Sequence, residues 1–458
     1  MTSLASQRPR EVQSTLNILR QEMAAFGYQP VDVPIIQPAD LFLTRAGDQI
    51  LHRLFTFERH GVSLSLRPEF TSPALRRYIH EYAGDRPAVV RWQVAGIIFE
   101  DDPAQDGLSY ERVSSGAECI GAAGVGAEAE IIAMAASGCM AVGQPVAKVV
   151  LGDAQLIRNL LLSFALDART ERFVLSQLSA LSDTSRGIEY VMDRFDAQLS
   201  TAGDIPALDV TDNPEQVIRT MLESNERGRA MGGRTQAEIA RRLVQRHQRR
   251  SQRARLLEAL QVLKQIAQIA GSPETVFTRL GRILEPEQWS ASHDHWRRLL
   301  ELLAAYGLHD EQFELVPVLA RDWEYYSGLM FELYTADERH IAGGGRYDGF
   351  AQLIGSPVDI PAVGFTYYLD ALLEGGTATP ASSNSWSIVG EPADLSVVRW
   401  SQALRKHGFN IRVASDLPDE PLRQLIHADD QAILYDGVRY PFQDLPSLIE
   451  KLKDFTST

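Results

Sequence analysis

Apolar residues recur at helical spacing over residues 9–27, where Val12, Leu16, Leu19, Met23 and Phe26 fall on one face. Gly27 closes that helix. A strand is predicted over 31–36, broken at Pro34. Two short strand-like runs, 51–58 and 62–66, flank Arg59-His60-Gly61 and predict a hairpin. Residues 71–82 read as a helix, and 89–99 with 109–119 as a second hairpin across a polar loop containing Gly107. An alanine-rich helix over 125–141 precedes a strand at 146–151 and a helix over 154–164, with Asp153 placed to cap it.

From about 165 to 310 strand signals fade and helical periodicity dominates. Strand patterns return at 315–319, 328–334 and 340–344, ahead of a helix near 347–354. A stretch rich in Gly, Thr, Ala and Ser runs through 375–385. Beyond it the pattern alternates strand and helix: strands at 386–389, 410–413 and 431–435, helices at 395–407 and 420–428. The expected organisation is a split domain, 1–160 with 311–376, interrupted by a helical insertion at 161–310. A linker at 377–385 then leads to a small α/β unit at 386–458.

A chain of 458 residues is too long for one compact core, which agrees with that division. Cys119 and Cys139 cannot build a disulfide framework, and no Cys/His spacing suggests a metal. No apolar run approaches the roughly 18 residues of a membrane span, and the first residues lack the apolar segment of a signal peptide, so a cytoplasmic protein is expected. A net charge of −15 lowers the expectation of a nucleic-acid partner, whose phosphates call for cationic surface. The arginine-rich stretch 227–255 runs against that balance. It reads as a solvated helix face, because Leu243, Leu256, Leu257 and Leu260 supply an apolar stripe and no aromatics interleave the arginines for base stacking. Docking on acidic parts of a partner protein is the intermediate reading.

Four segments carry the chemistry: LSLRPEFTSPALRR (64–77), GIIFEDDPAQDGLSYERVSSGAE (96–118), ARDWEYYSGLMFE (320–332) and AGGGRYDGF (342–350). Each has a plain structural reading alone, as a salt bridge, a turn or core packing. Their conjunction, in this order and at these intervals, resembles the catalytic domain of class II histidyl-tRNA synthetases over about residues 9–160 and 311–376. The ARDWEYY and AGGGRYDG segments stand where that family carries its histidine-specific signatures. The resemblance implies an α+β fold with an antiparallel sheet flanked by helices. It also implies a truncated anticodon-binding-like unit at 386–458 and dimerisation through the first helix and the Pro34 strand.

A small zwitterionic amino acid suits these residues. An ammonium needs fixed acceptors, which Glu69 and Thr71 offer, and an imidazole is read by one acidic and one phenolic partner. Glu118 and Tyr326, with Tyr325 beside it, match the family positions in that role. Arg321 matches the arginine near the substrate carboxylate and can hold it bidentately. Gly343, Gly344 and Gly345 would bring backbone close to the ring, while Arg346 pairs with Asp348 to hold the loop. Ser114 stands where the synthetases carry a glutamine, so the grip on the amino group is altered.

The resemblance fails where the synthetases clamp ATP. Glu100 occupies the place of one clamping arginine and Ala371 that of the other, and Leu108 replaces a loop arginine. Losing two or more charge-assisted contacts costs about 3–6 kcal/mol. A carboxylate against a phosphate adds repulsion of ~4 kcal/mol at short range and intermediate dielectric. A histidine-like pocket with a dead ATP site resembles the ATP phosphoribosyltransferase regulatory subunits, synthetase paralogues whose proteobacterial members resemble this chain at VVLGD (149–153) and MGGRTQAEIARRL (231–243). The expectation is a non-catalytic protein with no cofactor that activates the short-form catalytic subunit and mediates its inhibition by L-histidine. It would act as a homodimer within a larger hetero-oligomer. The alternative is a synthetase-like protein that binds tRNA or activates histidine.

Overall fold

The computed structural model describes residues 9–43, 53–82, 88–101, 110–182, 186–200, 236–319, 325–374, 385–415, 423–429 and 431–454; the side chains of 9–10, 168–169, 179, 182, 198–200, 236–251, 385, 423–424, 426–429 and 454 lie outside this description. Its strands in chain order are β1 (Gln29–Pro30), β2 (Ile36–Pro38), β3 (Thr56–Arg59), β4 (Val62–Leu66), β5 (Val90–Phe99), β6 (Glu111–Ile120), β7 (Lys148–Asp153) and β8 (Phe313–Leu315). There follow β9 (Leu329–Tyr334), β10 (His340–Arg346), β11 (Ala362–Tyr368), β12 (Ser385–Val389), β13 (Asn410–Ala414), β14 (Arg423–Asp429), β15 (Ala432–Tyr435) and β16 (Val438–Pro441).

The central sheet has the order β1-β5-β6-β11-β10-β9-β7-β8. Its six inner strands pair antiparallel, and only the outermost, β1 and β8, run parallel to their neighbours. The α+β expectation therefore holds, with a mixed rather than purely antiparallel sheet. Sequence-distant strands meet at the centre, because β6 pairs with β11 and β11 with β10. One face is covered by the helices Pro9–Ala25 and Val125–Ala141, the second almost wholly buried and mostly apolar, with Glu128 and Glu130 as its buried charges. Asp153 caps Ala154–Ser163 as expected, its carboxylate accepting from the Gln155 amide at 2.8 Å.

Helices from 154 to 305 join the same hydrophobic cluster as this sheet face: Leu156, Leu260, Trp296 and Leu299 are continuous with Val149, Leu151 and Phe331. A second cluster, with Phe70, Leu75, Tyr325, Tyr347 and Phe350, lies on the opposite face. The third fills the C-terminal unit around Trp386, Trp400 and Leu448.

Three expected elements differ. The strand over 31–36 is not formed: only Gln29–Pro30 and Ile36–Pro38 are strands, each on a different sheet, because Pro34 has no amide to give a ladder. The helix expected at 420–428 is instead β14, inserted between β12 and β15 with Leu425 in the core. A partner on either side satisfies its backbone as a strand, which outweighs local propensity. The strand at 315–319 is displaced to Phe313–Leu315. The hairpin β3–β4 forms about the turn read from the sequence, with His60 and Gly61 at positive φ, but its first strand begins only at Thr56.

Candidate functional site

Alternation along the central strands aims one set of side chains at a cavity of about 550 Å³ on the face away from Val125–Ala141. Ser114, Gly116 and Glu118 come from β6, and Gly364, Thr366 and Tyr368 from β11. Glu69 and Thr71 close one side from the start of the helix Thr71–Tyr82. There the Glu69 carboxylate accepts from the Ser72 amide at 3.0 Å and 3.1 Å, filling a role normally given to a capping side chain. Tyr325, Tyr326 and Tyr347 form an aromatic wall, Tyr325 stacking on Phe350 with centroids 4.8 Å apart.

Glu118 is the centre of the arrangement. It is 2% exposed, and its two oxygens accept from the Thr71 hydroxyl at 2.6 Å and the Tyr347 phenol at 2.5 Å. Burial pushes its carboxyl up to about 8, against the lowering effect of those two bonds and with a further rise from Glu69. Burial likewise raises Glu69, opposed by its bonds to Ser72 and Thr71. The site therefore concentrates two desolvated carboxyls that a cationic or N–H-bearing ligand would satisfy. Burial also holds the Tyr325 and Tyr347 phenols far above their ordinary range, so both remain donors.

The expected residues are distributed as follows. Glu69, Thr71, Ser114, Glu118, Tyr325, Tyr326 and Gly343 line the cavity together. The Ser114 hydroxyl is 2.8 Å from that of Thr366, across the strand pair. Gly344 and Gly345 serve the sheet instead. A Cβ at Gly344 would sit 2.0 Å from the Gly364 carbonyl oxygen, and one at Gly345 would sit 2.4 Å from that of Leu329 and 2.9 Å from the Tyr326 ring. Arg346 does not reach the cavity. Its guanidinium turns to the helix side, where it bonds Glu128, Asp348 at 3.0 Å and the Gly124 carbonyl at 2.9 Å. Arg321 and Leu108 lie outside the described residues.

Two further contributors are Tyr347, the donor to Glu118, and Gly364, where a Cβ would lie 1.8 Å from a Glu118 oxygen. Tyr347 was visible only as part of the glycine motif. Gly364 follows from the β6–β11 register, which sets it opposite Glu118. At the far end of the cavity Glu100 is flanked by Arg53 at 3.1 Å and Arg112 at 3.6 Å, and Ala371 adds only a methyl group.

Of the arginine-rich stretch, residues 227–235 lie outside the described residues and the chain is helical from Gln236. Two of its members are engaged within the chain: Arg253 grips the Asp196 carboxylate with contacts of 3.0–3.1 Å, and Arg255 donates to the Ala165 carbonyl at 3.1 Å. Among the described residues no group of His, Cys, Asp and Glu is arranged to hold a metal ion, and no helix is long and apolar enough to cross a membrane.

A histidyl-tRNA synthetase family model matches residues 3–257 and 216–372. A Brucella canis protein named ATP phosphoribosyltransferase regulatory subunit is 32% identical over 374 residues, covering 78% of this chain and 95% of that protein. Its Brucella ovis counterpart of the same name is 31% identical over the same extent. Among solved structures, an ATP phosphoribosyltransferase regulatory subunit/histidyl-tRNA synthetase from Bacillus halodurans C superposes with TM-score 0.55 at 17% identity, covering 90% of each chain. Histidyl-tRNA synthetase from Nostoc sp. PCC 7120 does so with TM-score 0.52 at 16% identity, covering 98% of this chain and 96% of that one. At those identities the two structures establish the fold.

Proposed function

The chain belongs to the family of ATP phosphoribosyltransferase regulatory subunits, on the histidyl-tRNA synthetase fold, and from that premise we propose that its cavity is a sensor for L-histidine. In this role the protein activates a short-form catalytic subunit at the first step of histidine biosynthesis and conveys inhibition by the end product. The split body 1–160 and 311–376 is the sensing part.

The observation that carries this reading is Glu118, a fully buried carboxyl aimed into a cavity between a hydroxyl and a phenol. An imidazole N–H bonded to its carboxylate relieves the desolvation that otherwise keeps the group protonated. Tyr326 bonds the other ring nitrogen, and Glu69 receives the α-ammonium. Arg321 takes the carboxylate, and Ser114, bonded to Thr366, replaces a direct ammonium contact with a hydroxyl pair.

The other half of the reading is that ATP is refused. By the resemblance, Glu100 and Ala371 stand where the synthetases clamp phosphate with arginine. Glu100 also neutralises Arg53 and Arg112, the two cations on that wall of the cavity. A triphosphate would meet a carboxylate and two arginines already engaged. Losing two charge-assisted contacts removes about 3–6 kcal/mol, or roughly two to four decades of affinity.

Exposed Ile35 and Ile36 lie beside Pro34 where β2 begins, which suits the dimer contact that the family likeness implies. Calorimetric titration with histidine and separately with ATP tests the proposal. Histidine binding that disappears in Glu118→Ala, with no heat from ATP and with stimulation of a short catalytic subunit, is the expected result. Tight ATP binding would overturn the reading and return the chain to the synthetases.

A further inference from the structure

The helix Pro286–Ala305 packs on Val125–Ala141 and Ala154–Ser163 through Trp296, Leu299, Leu302 and Leu303. Two polar residues interrupt that apolar seam, Ser292 and His295, three apart and so on one face. Ser292 bonds the buried Asp153. His295 Nε2 lies 2.6 Å from a Glu128 oxygen, and Glu128 is 1% exposed. The other Glu128 oxygen is bound by Arg346 Nε.

This histidine shares Glu128 with Arg346. Glu128 is buried against the Arg346 guanidinium, itself shared with Asp348, while the buried Asp153 acts on His295. When protonated, His295 is a second cation against Glu128. Burial alone would depress its imidazole, but Glu128 and Asp153 outweigh burial and the opposing Arg346, holding it above the ordinary 6.5. Those three groups, from the helix Val125–Ala141, the end of β7 and the end of β10, are the charges that face His295.

Arg346 is followed immediately by Tyr347, and the two side chains leave the chain on opposite faces of the sheet. Arg346 enters the helix side; the Tyr347 phenol bonds Glu118 on the cavity side. The segment between is tightly held. The Tyr347 amide donates to the Ala362 carbonyl at 2.8 Å, the Asp348 amide to the Ser327 hydroxyl at 2.9 Å, and the Ala362 amide to Asp348 at 2.9 Å. One peptide unit thus separates a side chain anchored to the helical region from one that bonds the cavity's central carboxyl.

We propose that His295 is a positioning residue which, through Glu128 and Arg346, sets Tyr347 against Glu118 and so links the helix Pro286–Ala305 to occupancy of the cavity. Linkage makes the effect reciprocal: a partner that moves this helix changes the cavity's affinity, and a ligand in the cavity biases the helix. As a statement about histidine sensing it rests on the function proposed above; as a statement about the 346–348 segment it does not.

Hydrogen exchange on the ligand-free protein, resolved to peptides spanning 345–350, is compared for the wild type, His295→Ala and Ser292→Ala, and each is titrated with histidine. His295→Ala is expected to accelerate exchange in those peptides and weaken histidine binding about two- to thirty-fold. The affinity deficit should narrow as pH rises and His295 of the wild type loses its proton, because the neutral imidazole keeps the hydrogen bond to Glu128 but not the charge. Ser292→Ala, which reaches Asp153 but not Glu128, should leave both readouts in place. Unchanged exchange at 345–350 in folded His295→Ala would overturn the linkage. If exchange responds while neither protein binds histidine, the linkage stands and the histidine reading falls.

Discussion

Replacing Glu118 with glutamine should make the protein more stable at neutral pH, because the native state holds this carboxyl against its preference to ionise. The ordinary carboxyl value is 4.5 and burial lifts it to about 8. Below 4.5 the group is protonated in both folded and unfolded chains and contributes nothing to the balance. Between 4.5 and about 8 the unfolded chain releases the proton and the folded chain keeps it, so stability falls as pH rises. The slope is ~1.4 kcal/mol per pH unit, which accumulates to about 3 kcal/mol at neutrality and to somewhat under 5 once the folded group also ionises. Above that point the loss is constant.

Glutamine keeps the shape, cannot ionise, and can accept from one of Thr71 and Tyr347 while donating to the hydroxyl oxygen of the other. Urea denaturation of wild type and Glu118→Gln, followed by tryptophan fluorescence at a series of pH values, measures the difference. The expected result is a variant near parity in acid, gaining stability steadily toward pH 8 and level thereafter, at the expense of histidine binding. Such a trade of stability for a poised site is common where a buried group serves a ligand. A stability difference independent of pH, or a variant weaker at every pH, would refute the reasoning.

Two further outcomes follow from the same geometry. Gly364→Ala places a methyl group 1.8 Å from a Glu118 oxygen and 2.8 Å from the Ala117 carbonyl oxygen, and the backbone atom cannot give way. It should lower stability by about 1–3 kcal/mol and weaken histidine binding at least roughly tenfold through loss of a Glu118 bond, read by thermal melting and calorimetry. Glu130→Ala removes the partner of buried Arg91, held at 2.9 Å, and of the Tyr28 phenol, held at 3.0 Å. An uncompensated buried guanidinium should cost about 3–5 kcal/mol in a denaturant titration; a change under about 1 kcal/mol would show that water or another acceptor replaces the carboxylate.

Much was legible before the fold was known, and the reason is local. Helices 9–25 and 71–82 announce themselves because a buried helix face repeats every three to four residues, 125–141 because it is rich in alanine, and the β3–β4 and β5–β6 hairpins because alternation breaks at polar or glycine-bearing turns. Glu69, Thr71, Glu118 and the tyrosine pair stood out only through the conjunction of four motifs in a family-like order, and the fold brings them to one cavity.

Tertiary structure decided the rest. Residues 423–429 became a strand because neighbours on both sides offered hydrogen bonds that no local pattern encodes. Gly364 acquired its purpose only when β11 was laid beside β6, and Tyr347 only when its phenol met a carboxyl 229 positions away in sequence. Arg346, adjacent to Tyr347, left for the other side of the sheet, where Glu128 and His295 waited on helices from two distant parts of the chain. Periodicity and composition report what a residue requires of its surroundings; which distant residue meets the requirement depends on how the layers are stacked.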